Sequence, residues 1–163
     1  MESLPRCIVF GVSGSGKSTI GKLLAEHFSI PFLDADDFHP SDNIQKMRSG
    51  TALTDQDRLP WLKTINTILS SQQSAGWVLA CSALKESYRQ TLSSGFPEIH
   101  WILLDGSYQD IFVRLHHRQN HFMNPTLLQD QFDTLEIPEY GFKASIEYSP
   151  TEIVHQIIDK ISE

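Results

Sequence analysis

The stretch "FGVSGSGKST", Phe10 to Thr19, decides the fold. Within it, Gly11 to Ser18 reads G-V-S-G-S-G-K-S and fits the pattern G-x-x-x-x-G-K-[ST]. The pattern alone is moderately specific, and its flanks sharpen it. "RCIVFGV" (Arg6 to Val12) leads in as a short, β-branched apolar run, which predicts a buried strand. From Lys17 onward, Ile20, Leu23, Leu24, His27 and Phe28 recur at helical spacing, which predicts a helix of about three turns. A strand, a glycine-rich turn and a helix in that order make an anion cradle. The glycines let the chain curl until successive N–H groups face one anion, and the helix N-terminus adds its dipole. Gly11, Val12, Ser13, Gly14, Ser15, Gly16, Lys17, Ser18 and Thr19 are thus the candidate ATP-binding residues. Lys17 would reach the β- and γ-phosphates and the Ser18 hydroxyl would ligate Mg²⁺.

Working outward, strands and helices alternate. "IPFLDADD" (30–37), "GWVLACSA" (76–83), "IHWILLDG" (99–106) and "FKASIEY" (142–148) read as further strands. "DNIQKMRS", "DRLPWLKTINTILSSQ" with Pro60 near its first turn, "LKESYRQTLSS", "YQDIFVRLHHR", "NPTLLQDQFDTLE" and "SPTEIVHQIIDKI" read as helices. The last has Ser149 as N-cap and Pro150 at its first position. Short apolar strands separated by helices predict an α/β fold with a parallel sheet, one domain over residues 1–163. Two stretches look inserted: a helical region at about 37–73 and a polar segment at about 114–126.

Bulk properties narrow the function. With 20% charged and 40% apolar residues, the 163-residue chain has the balance of an ordinary globular domain. Its net charge of −7 argues against nucleic acid or an anionic membrane as partner. The two cysteines, Cys7 and Cys81, lie in apolar runs and read as reduced core thiols. The expectation is a soluble cytoplasmic protein. The N/T-K-x-D guanine-reading element of GTPases is missing, and the size suits a small-molecule or nucleotide kinase.

After the second strand, "LDADDFHP" places Asp34 and Asp36 at i, i+2, on one side of an extended segment. They stand at the carboxyl end of a parallel strand, where α/β sheets bind ligands. Asp34 is the candidate for holding Mg²⁺ through water, and Asp36 for taking the proton of an attacking hydroxyl. Asp105, ending "ILLDG", is a rival Mg²⁺ partner.

"GVSGSGKST", "DADDFHPSDNIQKMRSGTALTDQDRLPWL", "ACSALKESYR" and "RQNHFMNPTLLQDQFDTLEIP" together closely resemble gluconate kinases of the shikimate-kinase-like P-loop group. The likeness keeps its order from about Ile8 to Pro138, and its blocks around "DQDRLPWL" and "CSALKESYR" are more specific than the phosphate loop. The resemblance implies a five-stranded parallel sheet flanked by helices, a mobile lid, a homodimer, and phosphorylation of D-gluconate by ATP. Gluconate carries a carboxylate at one end and a primary hydroxyl at the other. Its site needs a guanidinium for the first and acids, amides or histidines for the hydroxyls. Asp36, His39, Arg58, Lys85, Arg89 and His121 are the candidate substrate residues, with Arg58 leading and Arg89 second for the carboxylate. Asn43, Asp57, Ser82 and Tyr88 accompany them, with Trp61 as a packing anchor. Arg114 and Arg118, i and i+4 on one helix face, are the candidate lid arginines that join Lys17 in offsetting phosphoryl charge. Two alternatives stay open: a same-fold kinase for shikimate or a nucleoside monophosphate, and a non-catalytic ATP-binding regulator.

Overall fold

A computed structural model describes residues 3–117 and 125–163. Its strands are β1 (Arg6–Phe10), β2 (Phe32–Asp34), β3 (Trp77–Ala80), β4 (His100–Asp105) and β5 (Phe142–Ser145). Its helices are α1 (Lys17–Phe28), α2 (Ser41–Arg48), α3 (Asp55–Ser70), α4 (Glu86–Ser93), α5 (Tyr108–His117), α6 (Pro125–Thr134) and α7 (Pro150–Ile161). The strands form one sheet in the order β2-β3-β1-β4-β5, and every pairing is parallel. Strand β1 is central, with β3 on one side and β4 on the other. The loop after β1 therefore opens at the point where the winding reverses, the place α/β sheets present to ligands.

Period-two alternation along the strands splits the core. Cys7, Val9, Val78, Ile102 and Leu104 pack with Ile20 and Leu24 of α1 and Ile153 and Ile157 of α7. Ile8, Phe10, Trp77, Leu79 and Leu103 point the other way, to Trp61, Leu62, Ile65 and Leu69 of α3 and Tyr88 and Leu92 of α4. Both cysteines are buried thiols, and burial pushes each up to about 12, so neither is a nucleophile at neutral pH. Among the described residues, no helix is long and apolar enough to cross a membrane.

Two local expectations shift. Helix α3 starts at Asp55, two residues before the expected position, because Thr54 and Asp57 form a reciprocal capping box. Pro60 consequently lies inside the helix. The second strand ends at Asp34, and residues 35–38 coil into a single 3₁₀ turn. Asp34 causes that turn by accepting the Asp36 N–H at 3.0 Å. At the other end of the chain, Ser149 caps α7 as its sequence predicts, accepting the Glu152 N–H at 3.2 Å.

Candidate active site

The phosphate loop is built by backbone that only glycine tolerates. Gly14 has φ 81°, and a Cβ there would lie 2.7 Å from Leu115 Cγ of α5. Gly16 has φ 99° and caps α1 with no side-chain acceptor, so the first-turn N–H groups of α1 keep their donors for a ligand. A Cβ on Gly16 would meet nothing within 4 Å. The loop is clasped from outside: Ser13 N–H donates to Gln131 Oε1 of α6 at 2.8 Å, and Gln131 Nε2 donates to Ser13 Oγ at 3.2 Å. Lys17 Nζ crosses the turn to the Val12 carbonyl at 2.9 Å. Ser15 Oγ is buried among these groups with no hydrogen-bond partner. A loop with uncapped N–H donors, an ammonium and an orphaned hydroxyl fits a polyphosphate.

Beside it, Ser18 Oγ donates to Asp34 Oδ2 at 2.7 Å. Hydroxyl and carboxylate oxygens are the hard donors Mg²⁺ takes, and the pair fits that ion. The Ser18 hydroxyl thus meets Asp34, while Asp105 ends β4 beside Ser145 of β5. The i, i+2 geometry expected for the two acids is corrected by the 3₁₀ turn. Asp34 is half-buried and bonded through both oxygens, whereas Asp36 is carried out to the exposed rim.

Behind Asp36 stands an ordered wall. Trp61 is buried and its Nε1–H donates to the Ala35 carbonyl at 2.7 Å. Its ring stacks on His39, with centroids 4.1 Å apart and planes 14° from parallel. His39 Nε2 lies 3.9 Å from Asp36 Oδ1. Burial, then the Arg58 charge, lowers the His39 pKa to about 4, so the ring is neutral at pH 7. Asn43 Nδ2 approaches His39 Nδ1 at 3.4 Å and donates to the Asp57 carbonyl at 3.1 Å. Asp57 itself is structural. It caps α3 and pairs with Lys46 at 2.8 Å, and the Lys46 hydrogen bond leads the causes that hold its carboxyl down to about 2.

The expected arginines separate. Arg58 Nη1 donates to the Leu53 carbonyl at 2.6 Å and to Tyr88 Oη at 3.2 Å. Lys85 Nζ and the Tyr88 hydroxyl both donate to Asp55 at the start of α3. Arg89 is only 1% exposed. Its Nε donates to Ala83 O, its Nη2 to Leu84 O and Glu136 O, and its Nη1 to Glu86. Its guanidinium also covers the Phe10 ring at 4.8 Å. The expectation that Arg89 binds substrate is therefore corrected: its donors are committed to backbone carbonyls and it braces the loop after β3. That loop bends through Ala83 at φ 41°, and the Ser82 carbonyl accepts the Gly11 N–H at 3.3 Å. Arg114 Nη2 donates to the Ile146 carbonyl at 2.6 Å, tying α5 to the end of β5. Arg118 and His121 lie outside the described residues.

Curated relatives carry the same frame over most of the chain. A gluconokinase of Arabidopsis thaliana is 43% identical across 94% of this chain and 90% of its own. The thermosensitive gluconokinase of Escherichia coli is 45% identical across 81% of this chain and 72% of its own. The chain belongs to the gluconokinase family. The broader shikimate kinase family matches residues 13–161. A solved gluconokinase from Sinorhizobium meliloti superposes with a TM-score of 0.90 at 39% identity, covering 99% of this chain and 94% of that one. Shikimate kinase of Aquifex aeolicus, at 18% identity and a TM-score of 0.63 over 96% of each chain, shares the fold.

Within this gluconokinase-family frame, three residues at the site escaped sequence reasoning. Asp55 gathers Lys85 and Tyr88, Gln131 clasps the phosphate loop, and Glu136 receives Arg89. Asp55 had a signal, since it is the first acid after the Thr54 cap. Gln131 and Glu136 had none, because their partners lie 118 and 47 residues away.

Proposed function

We propose that this chain transfers the γ-phosphoryl group of ATP to the 6-hydroxyl of D-gluconate, giving ADP and 6-phospho-D-gluconate. The observation that carries this is the 40–45% identity to gluconokinases across most of the chain, joined to an acid, Asp34, beside a phosphate cradle. The 6-hydroxyl oxygen bonds to the γ-phosphorus as the bond to the β–γ bridging oxygen breaks, and Asp36 accepts the hydroxyl proton. Asp34 fixes the turn that presents Asp36 and shares its other oxygen with Ser18. Mg²⁺, held by Ser18 and through water by Asp34, would offset phosphate charge. Lys17, Arg114 and Arg118 counter the charge that spreads over the migrating group, and His121 joins the substrate-binding residues. Neutral His39 is suited to a substrate hydroxyl, as it both donates and accepts. Arg58, Lys85 and Tyr88 receive the carboxylate end. In this reading the protein works in the cytoplasm as a homodimer, a state that sedimentation of the purified chain would check.

The test is coupled ADP release with ATP and Mg²⁺, comparing D-gluconate, shikimate, AMP and no acceptor. Gluconate-dependent release is expected. Release with shikimate or AMP alone would keep the kinase and overturn the acceptor. Bound ATP with no release for any acceptor would favour the regulatory alternative.

A further inference from the structure

Three groups that attract a carboxylate meet between α3 and α4, and the chain places one of its own carboxylates among them. Lys85 Nζ donates to both oxygens of Asp55, at 3.0 and 3.1 Å. The Tyr88 hydroxyl donates to Asp55 Oδ1. Arg58 joins through the same phenol: its Nη1 lies 3.2 Å from Tyr88 Oη, and its guanidinium stands 5.5 Å from the ring centroid. Lys85 Nζ is 5.7 Å from that centroid. The Tyr88 and Lys85 hydrogen bonds hold the Asp55 carboxyl below its usual range, with the Arg58 charge adding to them. Two cations and a phenol around one carboxylate are the donor set that recognises an acceptor's carboxylate. The Asp55 side chain is nonetheless 62% exposed, so it can leave without unpacking any core.

We infer that Asp55 is a built-in occupant of the acceptor-carboxylate site, which the carboxylate of the incoming substrate displaces from Lys85 and Tyr88, beside Arg58. The inference rests on the gluconate reading and deepens it. Two carboxylates cannot share one such set without repelling each other, so binding becomes an exchange. An acceptor that brings its own carboxylate replaces what the cations lose. A neutral polyol of the same length replaces nothing and finds the set already filled. Asp55 thereby weakens binding of the acid acceptor, which must displace it, and leaves that of a neutral polyol, which does not, unaffected. A purely orienting role for Asp55 predicts the opposite sign, because removing an orienting group loosens Lys85 and Tyr88 and weakens gluconate.

The experiment is steady-state kinetics of wild type, Asp55→Asn and Asp55→Ala with D-gluconate as varied acceptor and D-glucitol as competing neutral polyol. Removing the competitor, an exposed ion pair of modest strength, should lower the gluconate KM by roughly fivefold. The value of kcat should stay near wild type and the glucitol inhibition constant should not change. A gluconate KM that rises or stays level in both variants overturns the inference. So does an equal gain for glucitol, which would mean a generally loosened cleft. Wild-type enzyme that releases no ADP with gluconate overturns the acceptor assignment itself, a result distinct from active wild type with the wrong sign in the variants.

Discussion

Trp61→Phe tests how the acid at the rim is held. The indole N–H donates 2.7 Å to the carbonyl of Ala35, a fully buried residue that opens the turn carrying Asp36. Phenylalanine keeps an aromatic face for His39 but removes the donor. A buried carbonyl left without its partner costs about 1–3 kcal/mol. The smaller ring adds roughly 1 kcal/mol of lost packing. The sum, about 3 kcal/mol, should lower Tm by roughly 9 °C in a chain of this size. Because the carbonyl belongs to the residue before Asp36, kcat should fall as well, by about tenfold for 1.4 kcal/mol of lost transition-state stabilisation. Differential scanning calorimetry and the coupled assay read the two effects separately. A melting point within about 2 °C of wild type would show that the indole bond does not secure the turn.

Asp36→Asn should fold with wild-type stability, since the side chain is exposed, and lose about 10²-fold or more in kcat; unchanged turnover would remove Asp36 from proton transfer. Arg89→Lys keeps the charge but cannot reproduce the fork that serves Ala83, Leu84 and Glu136, and urea unfolding should show a loss of about 3–5 kcal/mol. His39 gives a pH signature. Its folded pKa of about 4 lies below the unfolded value of 6.5, so between those values the unfolded chain binds the extra proton. The stability present at pH 7 is therefore lost as pH falls from 6.5 toward 4, by roughly 3 kcal/mol in all. Melting curves across that window should be flatter for His39→Gln, and parallel curves would contradict the assignment.

The sheet, its flanking helices and the phosphate loop were legible because local rules govern them: apolar runs, helical spacing, and glycines at the offsets a cradle requires. Asp34 and Asp36 were legible as acids at a strand end. Their geometry was not, because the 3₁₀ turn arises from one side chain, Asp34, competing for the backbone of Asp36. The order given to the two arginines, Arg58 before Arg89, had no geometry behind it in the sequence, for a related reason. Whether a guanidinium faces a cleft or a set of carbonyls depends on where Glu136 returns, 47 residues further on. Trp61 was foreseen as a packing anchor, while its bond to Ala35 depends on a turn that the strand pattern did not contain.

The division of the core between the two faces of the sheet bears on how such an enzyme can change. Helix α1, which starts from the phosphate loop, packs on one face, and α3 and α4, which carry Arg58 and Tyr88 with Lys85 at the α4 N-cap, pack on the other. Packed layers stand about 10 Å apart, the distance beyond which substitutions usually act independently. Substitutions on the outer surface of the α3–α4 side should therefore alter acceptor binding with little effect on ATP binding. The sheet keeps most of the acceptor side apart from the ATP side, and Asp34, which touches both Ser18 and the turn carrying Asp36, is where a change on one side would reach the other.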